Sequence, residues 1–335
     1  MRHAVLGGGS WGTAFAMVLA DAGAEVGLWT RESDVAESIT NQHRNDRYHP
    51  GVRLPEQVWA TTDPIRVLSG AEVVVLALPA QMLRVNLAAV RESLPADAYY
   101  VSLIKGIETG SALRMSEVIG QATGADPDQI AVLSGPNLAR EIVQRQPAAT
   151  TIACESPDVA QLLQEEISAP YFRPYWTTDV IGTEIGGAVK NVIALANGMA
   201  VGLGFGENAQ AALITRGLAE MTRLGIALGA DPLTFQGLAG VGDLVATCTS
   251  PLSRNRTFGE NLGRGLSVAE AEAVTRETCE AVKSCASILE LARRNDVDVP
   301  ITEQVVQVVH NGMAPREMLA HFMARAPKPE LGAED

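Results

Sequence analysis

The sequence is short of residues on which several common kinds of site depend. It has four cysteines in 335 residues, and none of them are in a CxxC or zinc-like spacing. We therefore predict reduced thiols and no metal site. The five histidines lie towards the two ends of the chain: His3, His43, His49, His310 and His321. That distribution disfavours an enzyme whose general base is a histidine in the middle of the chain.

Positive charge is also scarce. The formal net charge is −13, which argues against a nucleic-acid or anionic-membrane partner. No uncharged apolar run reaches about 18 residues and no signal-peptide pattern is visible, so we expect a cytoplasmic protein without membrane insertion. The length is sufficient for two domains with their own cores. A homodimer is an alternative that the sequence leaves open.

Lysine is the rarer of the two basic side chains, with four lysines (Lys105, Lys190, Lys283 and Lys328) against 22 arginines. Where arginine is the default cation, a lysine indicates a site that needs a compact charge with an adjustable pKa. Lys190 lies in an apolar stretch, residues 182–199, that predicts a buried helix. A buried lysine needs a partner. The alternative is a lysine that extends to a domain surface.

The first 30 residues predict a βαβ unit with a glycine-rich turn. Strands are expected at residues 3–6 and 25–29 and a helix at 13–22, and the turn has the GxGxxG glycines Gly7, Gly9 and Gly12. This motif alone is weak evidence, but between a strand and a helix it favours dinucleotide binding, with the pyrophosphate at the helix N-terminus.

The end of the second strand bears on cofactor choice. An acidic residue there binds the ribose 2′-hydroxyl of NAD, whereas this chain has Trp29-Thr30-Arg31-Glu32. The expected position is not acidic and Arg31 follows at once, which favours NADP(H). NAD(H) is the alternative, and Arg31 could also be a solvent-facing loop residue.

Further strands are predicted at residues 73–77, 99–102, 130–133, 149–153 and 171–176, with helical segments between them. This alternation predicts an α/β fold with a Rossmann-like, doubly wound sheet in residues 1–180. From residue 181 to 335 the pattern is helical, which predicts an all-helical substrate-binding and catalytic domain. One of its helices is expected at residues 233–239.

The remaining site candidates follow strand ends or lie in a glycine-rich stretch of the second domain. Lys105 and the Gly135–Asn137 turn follow predicted strands, where ligands of such sheets bind. The turn could equally be only a turn. Asp243 could pair with Lys190.

Two further predictions concern polar groups of the helical domain. Ser253, Arg254 and Asn255 precede a predicted helix and suit a phosphate, although Ser253 could be only an N-cap and Arg254 a solvated residue. Arg216 and Glu220 are spaced as an ion pair one helical turn apart.

Several motifs together resemble the bacterial NAD(P)-dependent sn-glycerol-3-phosphate dehydrogenases: GGGSWGTA, KGIE, SGPN, GGAVKNVIALANG, NAQAALITRGLAEM, AGVGDLVATCTSPLSRNRTFG and PITE. The resemblance runs nearly end to end. It implies reversible hydride transfer between dihydroxyacetone phosphate and sn-glycerol 3-phosphate, which supplies phospholipid synthesis. Residue chemistry alone predicts a lysine-centred dehydrogenase, and the substrate comes from the resemblance.

The resemblance also implies roles for individual residues, with Lys190 as the proton donor and acceptor. The dinucleotide contacts it implies are Ser10, Trp11, Arg31, Lys105, Ala139, Arg254 and Glu280. The substrate contacts it implies are Lys105, Gly135, Asn137, Lys190, Asp243, Ser253, Arg254 and Asn255. This chain departs from the family pattern at Asn137, where threonine or serine is usual, at Tyr48-His49-Pro50, and at Thr278-Cys279-Glu280-Ala281, where the family has VVEG.

Two other functions fit part of the pattern. A β-hydroxyacid or 6-phosphogluconate-type dehydrogenase also combines a dinucleotide domain with a helical domain and an active lysine. A non-catalytic NADP-binding sensor would bind the cofactor without turnover.

Overall fold

A computed structural model of the chain describes residues 1–275 and 279–324. Thr278, Lys328 and the last eleven residues of the predicted second domain lie outside the described residues.

The N-terminal half is built around an eight-stranded sheet. Its strands are β1 (Arg2–Leu6), β2 (Glu25–Trp29), β3 (Val58–Thr61), β4 (Val73–Leu76), β5 (Tyr99–Ser102), β6 (Ile130–Ser134), β7 (Ala148–Cys154) and β8 (Phe172–Thr177). The spatial order is β3-β2-β1-β4-β5-β6-β7-β8. The first six strands are parallel; β7 is antiparallel to β6 and parallel to β8. The predicted doubly wound sheet is confirmed.

Helices cover both faces of this sheet, which is why its central strands are apolar throughout. All four residues of β4 are buried, as expected for a parallel strand with helices on both sides. The helices of this half are α1 (Ser10–Asp21), α2 (Ser33–Gln42), α3 (Pro64–Leu68), α4 (Leu83–Ala89), α5 (Met115–Thr123), α6 (Ala139–Ile142) and α7 (Pro157–Ile167).

The second half is helical from Val180 onwards. Its helices are α8 (Val180–Gly202), α9 (Glu207–Ala227), α10 (Asp243–Thr249), α11 (Arg254–Gly263), α12 (Val268–Thr275), α13 (Glu280–Arg294), α14 (Pro300–Asn311) and α15 (Pro315–Ala324). Of the 23 residues of α8, 20 are buried, so the predicted buried helix is confirmed. By length and apolarity α8 could cross a membrane, but 89% of its apolar window is buried inside the protein, as in a core helix.

Helices α8 and α11 pack with their backbones in contact. A Cβ added to Gly198 would lie 2.0 Å from the carbonyl oxygen of Arg256, and one added to Gly259 would lie 2.0 Å from that of Leu195. The same close approach recurs one turn later, at Gly202 and Gly263. Glycine on both helices therefore permits a contact that any side chain would prevent, and it fixes α11 against the C-terminal half of α8.

The segment before α10 differs from the prediction. Instead of a helix at residues 233–239, a 3₁₀ turn (Pro232–Gln236) is followed by a π-helical turn (Leu238–Gly242) that is kinked at Gly240. The kink needs glycine, because a Cβ at Gly240 would lie 2.1 Å from the carbonyl oxygen of Phe235. This kinked turn leads directly into Asp243.

The predicted ion pair between Arg216 and Glu220 is wrong. The buried Glu220 carboxylate instead accepts hydrogen bonds from the backbone N–H groups of Ile301 (2.7 Å) and Thr302 (2.9 Å). These are N-terminal N–H groups of α14, which have no partner inside the helix and favour a negative charge. Glu220 therefore joins α9 to α14.

Candidate functional site

The glycine-rich turn after β1 depends on its three motif glycines for different reasons. Gly7 has a φ of +128°, and a Cβ there would lie 2.3 Å from the carbonyl oxygen of Ala77. A Cβ at Gly12 would lie 1.9 Å from the carbonyl oxygen of Gly7. Gly9, in contrast, has no atom within 4 Å of a Cβ position. Two glycines therefore allow the turn to close, and the third leaves its outer side open to a ligand.

Helix α1 begins at Ser10, three residues earlier than predicted, so Ser10, Trp11 and Gly12 form its first turn. No side chain caps this N-terminus, and its first N–H groups lack partners within the helix. Uncapped N–H groups beside an open glycine are suited to an anion such as a pyrophosphate. The residues present therefore fit a dinucleotide.

Side chains from the loop after α2 support the glycine-rich turn. The Asn45 amide donates hydrogen bonds to the carbonyl oxygen of Gly8 (3.2 Å) and to the hydroxyl of Thr13 (2.9 Å). The His49 ring lies 2.8 Å from the carbonyl oxygen of Ser10. The histidine at the departure from the family's usual motif therefore contacts the first turn of α1.

The end of β2 carries a carboxylate after all. Thr30 takes the position where an acid was expected, and its hydroxyl donates a hydrogen bond to the Glu32 carboxylate (2.9 Å). Arg31 is exposed, and its guanidinium lies 3.9 Å from the same carboxylate. The prediction of a site without an acid was therefore incomplete, because Glu32 folds back onto Thr30 from the start of α2.

Lys105 links the carboxyl ends of β5 and β6 to the helical domain. Lys105 follows β5, and its ammonium donates hydrogen bonds to the carbonyl oxygen of Gly135 (3.0 Å), which follows β6, and to the Asp243 carboxylate (2.6 Å). Because the carboxyl ends of parallel strands share one edge of the sheet, residues 30 positions apart become neighbours. Asp243, at the start of α10, joins them from the other domain.

Lys190 is buried in the middle of α8 and contacts the same carboxylate. Its ammonium donates to the second oxygen of Asp243, so the predicted contact between these residues is present. It also lies 2.8 Å from the Thr247 hydroxyl, whose own hydrogen goes to the carbonyl oxygen of Asp243 (2.6 Å). An ammonium has three N–H donors. Two of them are directed by Asp243 and Thr247, which leaves the third for a ligand.

The surroundings shift the proton affinity of this cluster. Burial lowers the pKa of Lys190 to about 7. The nearby charge of Lys105 adds to this shift, and the Asp243 carboxylate opposes it. Burial by itself would raise the pKa of the Asp243 carboxyl, but the ammonium groups of Lys105 and Lys190 hold it below its usual range. Lys190 is therefore a group that can gain or lose a proton near neutrality beside a carboxylate that stays ionised.

Ser253 is the N-cap of α11, since its hydroxyl accepts a hydrogen bond from the backbone N–H of Arg256 (3.3 Å). Arg254 is exposed in the first turn of this helix. Asn255 is buried, and its amide donates to the carbonyl oxygen of the Asn191 side chain (2.9 Å) and accepts from the backbone N–H of Ala281 (3.2 Å). The Asn255 side chain therefore bridges α11, α8 and α13.

Two residues of this cluster were missed from the sequence. Asn191, next to Lys190, has its amide nitrogen 3.3 Å from the backbone carbonyl oxygen of Lys105. Thr247 lies one turn after Asp243 on α10. An asparagine inside an apolar helix and a threonine at i+4 from a candidate aspartate were the available signals.

The other predicted residues lie around this cluster. Asn137 donates to the Thr150 hydroxyl (2.8 Å), and its side-chain oxygen is buried without a hydrogen-bond partner. Ala139 begins α6. Glu280 begins α13, where burial raises the pKa of its carboxyl although Arg254 opposes that shift.

The histidines do not contact Lys190. His3 lies in β1, where burial lowers its pKa to about 4, and His49 supports the glycine-rich turn. Within residues 1–275 and 279–324 no group of three His, Cys, Asp or Glu residues could hold a metal ion.

Comparison with known proteins gives matches over nearly the whole chain. Residues 3–160 match the family described as NAD-dependent glycerol-3-phosphate dehydrogenase N-terminus, and residues 179–320 match its C-terminus. A glycerol-3-phosphate dehydrogenase [NAD(P)+] of Streptomyces avermitilis is 58% identical, and one of Thermobifida fusca 59%, each covering 98% of both chains.

Solved structures agree with these matches. The crystal structure of glycerol-3-phosphate dehydrogenase from Coxiella burnetii is 36% identical, with a TM-score of 0.92 over 97% of this chain and 99% of that one. A D-mandelate dehydrogenase, 14% identical with a TM-score of 0.63, shares the fold alone.

Proposed function

The chain belongs to the NAD-dependent glycerol-3-phosphate dehydrogenase family, and from that premise we propose which of its residues carry out the reaction. The enzyme reduces dihydroxyacetone phosphate to sn-glycerol 3-phosphate with NAD(P)H, reversibly, and its product feeds glycerophospholipid synthesis. The observation that supports the assignment of roles best is the buried cluster of Lys190, Asp243 and Lys105 at the carboxyl edge of the sheet.

Lys190 is the general acid of ketone reduction and the general base of alcohol oxidation. A bound reduced nicotinamide supplies the hydride. The N–H of Lys190 that is not used by Asp243 and Thr247 donates to the ketone oxygen, and its proton passes to that oxygen as negative charge develops there. The neutral amine keeps its two hydrogens towards Asp243 and Thr247. Its lone pair then points where the third proton was, as the reverse reaction requires.

Lys105 and Asp243 set the net charge around Lys190. The two ammonium groups and one carboxylate carry a net charge of +1 before proton transfer. A fixed positive charge in a site closed to water stabilises a developing alkoxide better than mobile water does. Loss of a proton from Lys190 then leaves a neutral pair of Lys105 and Asp243.

The phosphate of the substrate binds at the N-terminus of α11. Ser253 and Arg254 supply a hydroxyl and a guanidinium beside a helix N-terminus, a combination suited to a phosphate. Asn255 holds that turn against Asn191, one residue from Lys190. Gly135 and Asn137, which follow β6, complete the substrate side. Holding the phosphate fixes the distance from the ketone to Lys190.

When bound, the cofactor would be held at the glycine-rich turn. The backbone of Gly7, Gly9, Ser10, Trp11 and Gly12, at the uncapped N-terminus of α1, would hold its pyrophosphate. Its other contacts would be Arg31, Lys105, Ala139, Arg254 and Glu280.

A steady-state assay tests this function. We expect oxidation of NADPH or NADH in the presence of dihydroxyacetone phosphate, and no turnover with 6-phosphogluconate or β-hydroxyacids. Turnover with a hydroxyacid alone would favour the related dehydrogenases. Cofactor binding without turnover of any substrate would favour a sensor.

We also place the enzyme in the cytoplasm, without membrane insertion. The acidic composition and the burial of α8 inside the fold support this location. Fractionation of cells should recover the activity with the soluble fraction, and recovery with the membrane fraction would contradict the proposal.

A further inference from the structure

Four side chains form a charged group at the carboxyl end of β2. The Glu32 carboxylate accepts a hydrogen bond from the Thr30 hydroxyl (2.9 Å). One of its oxygens lies 3.9 Å from the guanidinium of Arg31 and 3.9 Å from that of Arg47. Both arginines are exposed, at 75% and 52%, whereas Glu32 is 31% exposed. Two exposed cations therefore flank one carboxylate that is hydrogen-bonded to Thr30.

This group lies beside the glycine-rich turn. The backbone N–H of Gly7 donates to the carbonyl oxygen of Trp29 (3.1 Å), and a Cβ at Gly8 would lie 2.6 Å from the Cβ of Thr30. Thr30 therefore packs against the turn that receives the pyrophosphate, and Glu32 is bonded to Thr30. In sequence, Glu32 also follows the third glycine of the motif by about 20 residues, the spacing at which dinucleotide folds read the ribose.

The two kinds of charge favour different cofactors. A carboxylate accepts a hydrogen bond from a ribose 2′-hydroxyl but repels a 2′-phosphate. Guanidinium groups bind a phosphate through charge-assisted hydrogen bonds. At 3.9 Å neither arginine makes a hydrogen bond to Glu32, so both can turn towards a phosphate without breaking one to that carboxylate.

We propose that Glu32 and Arg47, together with Arg31, determine the choice between NADH and NADPH. Glu32 receives the 2′-hydroxyl of NADH, and the Arg31 and Arg47 guanidinium groups receive the 2′-phosphate of NADPH. Arg47 comes from the loop after α2, so it approaches the carboxylate from a different element than Arg31. This inference rests on the proposed function only in that a dinucleotide occupies the glycine-rich turn.

Binding of two nicotinamide-free fragments tests the proposal. ADP-ribose and 2′-phospho-ADP-ribose both carry the pyrophosphate and differ only at the 2′ position, and isothermal titration calorimetry gives the Kd of each. For Arg47→Gln we expect the Kd of the phosphorylated fragment to rise about tenfold, as for a lost charge-assisted hydrogen bond, with the Kd of ADP-ribose unchanged. For Glu32→Gln we expect tighter binding of the phosphorylated fragment and weaker binding of ADP-ribose.

Arg53→Gln is the matched control. Arg53 follows in the same loop, is also exposed at 69%, and pairs with Glu56 at 3.6 Å instead of with Glu32. Its substitution should change neither Kd. The ratio of kcat/KM for NADPH to that for NADH should fall in Arg47→Gln and rise in Glu32→Gln.

The proposal is overturned if Arg47→Gln leaves the preference between the fragments unchanged, or if Arg53→Gln alters it as much. It is also overturned if Glu32→Gln weakens the binding of both fragments equally. Because neither fragment carries a nicotinamide and no substrate is present, discrimination between them does not depend on which substrate the enzyme reduces.

Discussion

At the scale of single residues, the proposed chemistry depends on a lysine whose N–H groups are oriented by fixed partners. Lys190 is buried on the central helix, with Asp243 and Thr247 directing two of its hydrogens. Burial without a partner would leave it neutral, and full pairing in water would keep it charged. Its pKa of about 7 lies between these limits, which suits a group that must donate a proton in one direction of the reaction and accept it in the other.

The pH dependence follows from this pKa. Ketone reduction needs the protonated lysine, so kcat/KM for dihydroxyacetone phosphate should fall about tenfold per pH unit above about pH 7. Oxidation of glycerol 3-phosphate needs the neutral amine and should rise through the same pH. Initial rates in both directions between about pH 6 and 9 measure this. A reduction rate that stays flat over that range would exclude Lys190 as the acid.

Thr247 should matter for turnover more than for binding. Thr247→Val keeps the shape of the side chain but removes the hydroxyl that lies 2.8 Å from Lys190. The ammonium then loses one of the two partners that direct it, and we expect kcat to fall about tenfold with KM little changed. Thr247→Ser should restore most of the rate. A valine variant with wild-type kcat would show that the hydroxyl has no part in orienting the lysine.

At the scale of elements, one face of α8 holds the helical domain against the nucleotide domain. Glu184, Gly187 and Asn191 follow one another at helical spacing on this face. A Cβ at Gly187 would lie 2.8 Å from the Ser134 hydroxyl, and Asn191 contacts the backbone of Lys105. The Glu184 carboxylate accepts hydrogen bonds from the backbone N–H of Ser116 and from the guanidinium of Arg114, both at the start of α5. Lys190 is thereby positioned by contacts on a neighbouring face.

Glu184 should therefore contribute strongly to stability. Glu184→Gln removes the buried carboxylate that pairs with the half-buried guanidinium of Arg114 at 2.7 Å. Breaking a buried pair from one side costs about 3 kcal/mol or more. Denaturant unfolding of Glu184→Gln, Arg114→Met and the double variant should show that the double variant loses less than the sum of the single ones. Additive losses would mean that the two side chains do not interact.

Gly186 should be required for the geometry of the site. A Cβ there would lie 2.3 Å from the carbonyl oxygen of Ala239, in the kinked turn that leads to Asp243. Gly186→Ala should displace that turn and lower kcat at least about tenfold. The matched control is Gly206→Ala, before α9, where a Cβ meets no atom within 4 Å. Equal activity of the two variants would contradict this account.

Some elements could be predicted from local pattern and others could not. The strands at Glu25–Trp29 and Tyr99–Ser102 have the predicted bounds because they are compact apolar runs. Strand β3 was missed because it is an edge strand in which only two of the four residues are buried. The kinked turn before Asp243 was predicted as a helix, since helical propensity does not reveal that the carbonyl of Phe235 occupies the space beside Gly240.

At the scale of the whole molecule, the site is formed by residues that are far apart in the sequence. Lys105 and Asp243 are 138 residues apart and lie 2.6 Å from each other. Their separate importance was predicted from residue chemistry, through the scarcity of lysine and the glycine-rich stretch around Asp243. The direct contact between Lys105 and Asp243 was not predicted, because a single sequence carries no information on which strand end faces which helix.

Cofactor choice shows the same limit. Arg31 was predicted from its place after β2. Arg47 reaches that place only through the folded loop after α2, and Glu32 reaches it by turning back onto Thr30. The type of side chain needed at the cofactor end and at the substrate end of the site could therefore be predicted from local sequence. The three-dimensional structure adds the partners that direct it, Thr247, Asn191 and Glu184 among them.

The activity of Lys190→Ala tests the central claim most directly. The variant should fold and bind NADPH with a Kd close to that of the wild type, measured by the fluorescence of the bound cofactor. Its kcat for dihydroxyacetone phosphate should fall by about three orders of magnitude, as for the loss of a general acid. A folded, NADPH-binding Lys190→Ala enzyme with wild-type kcat would contradict the account.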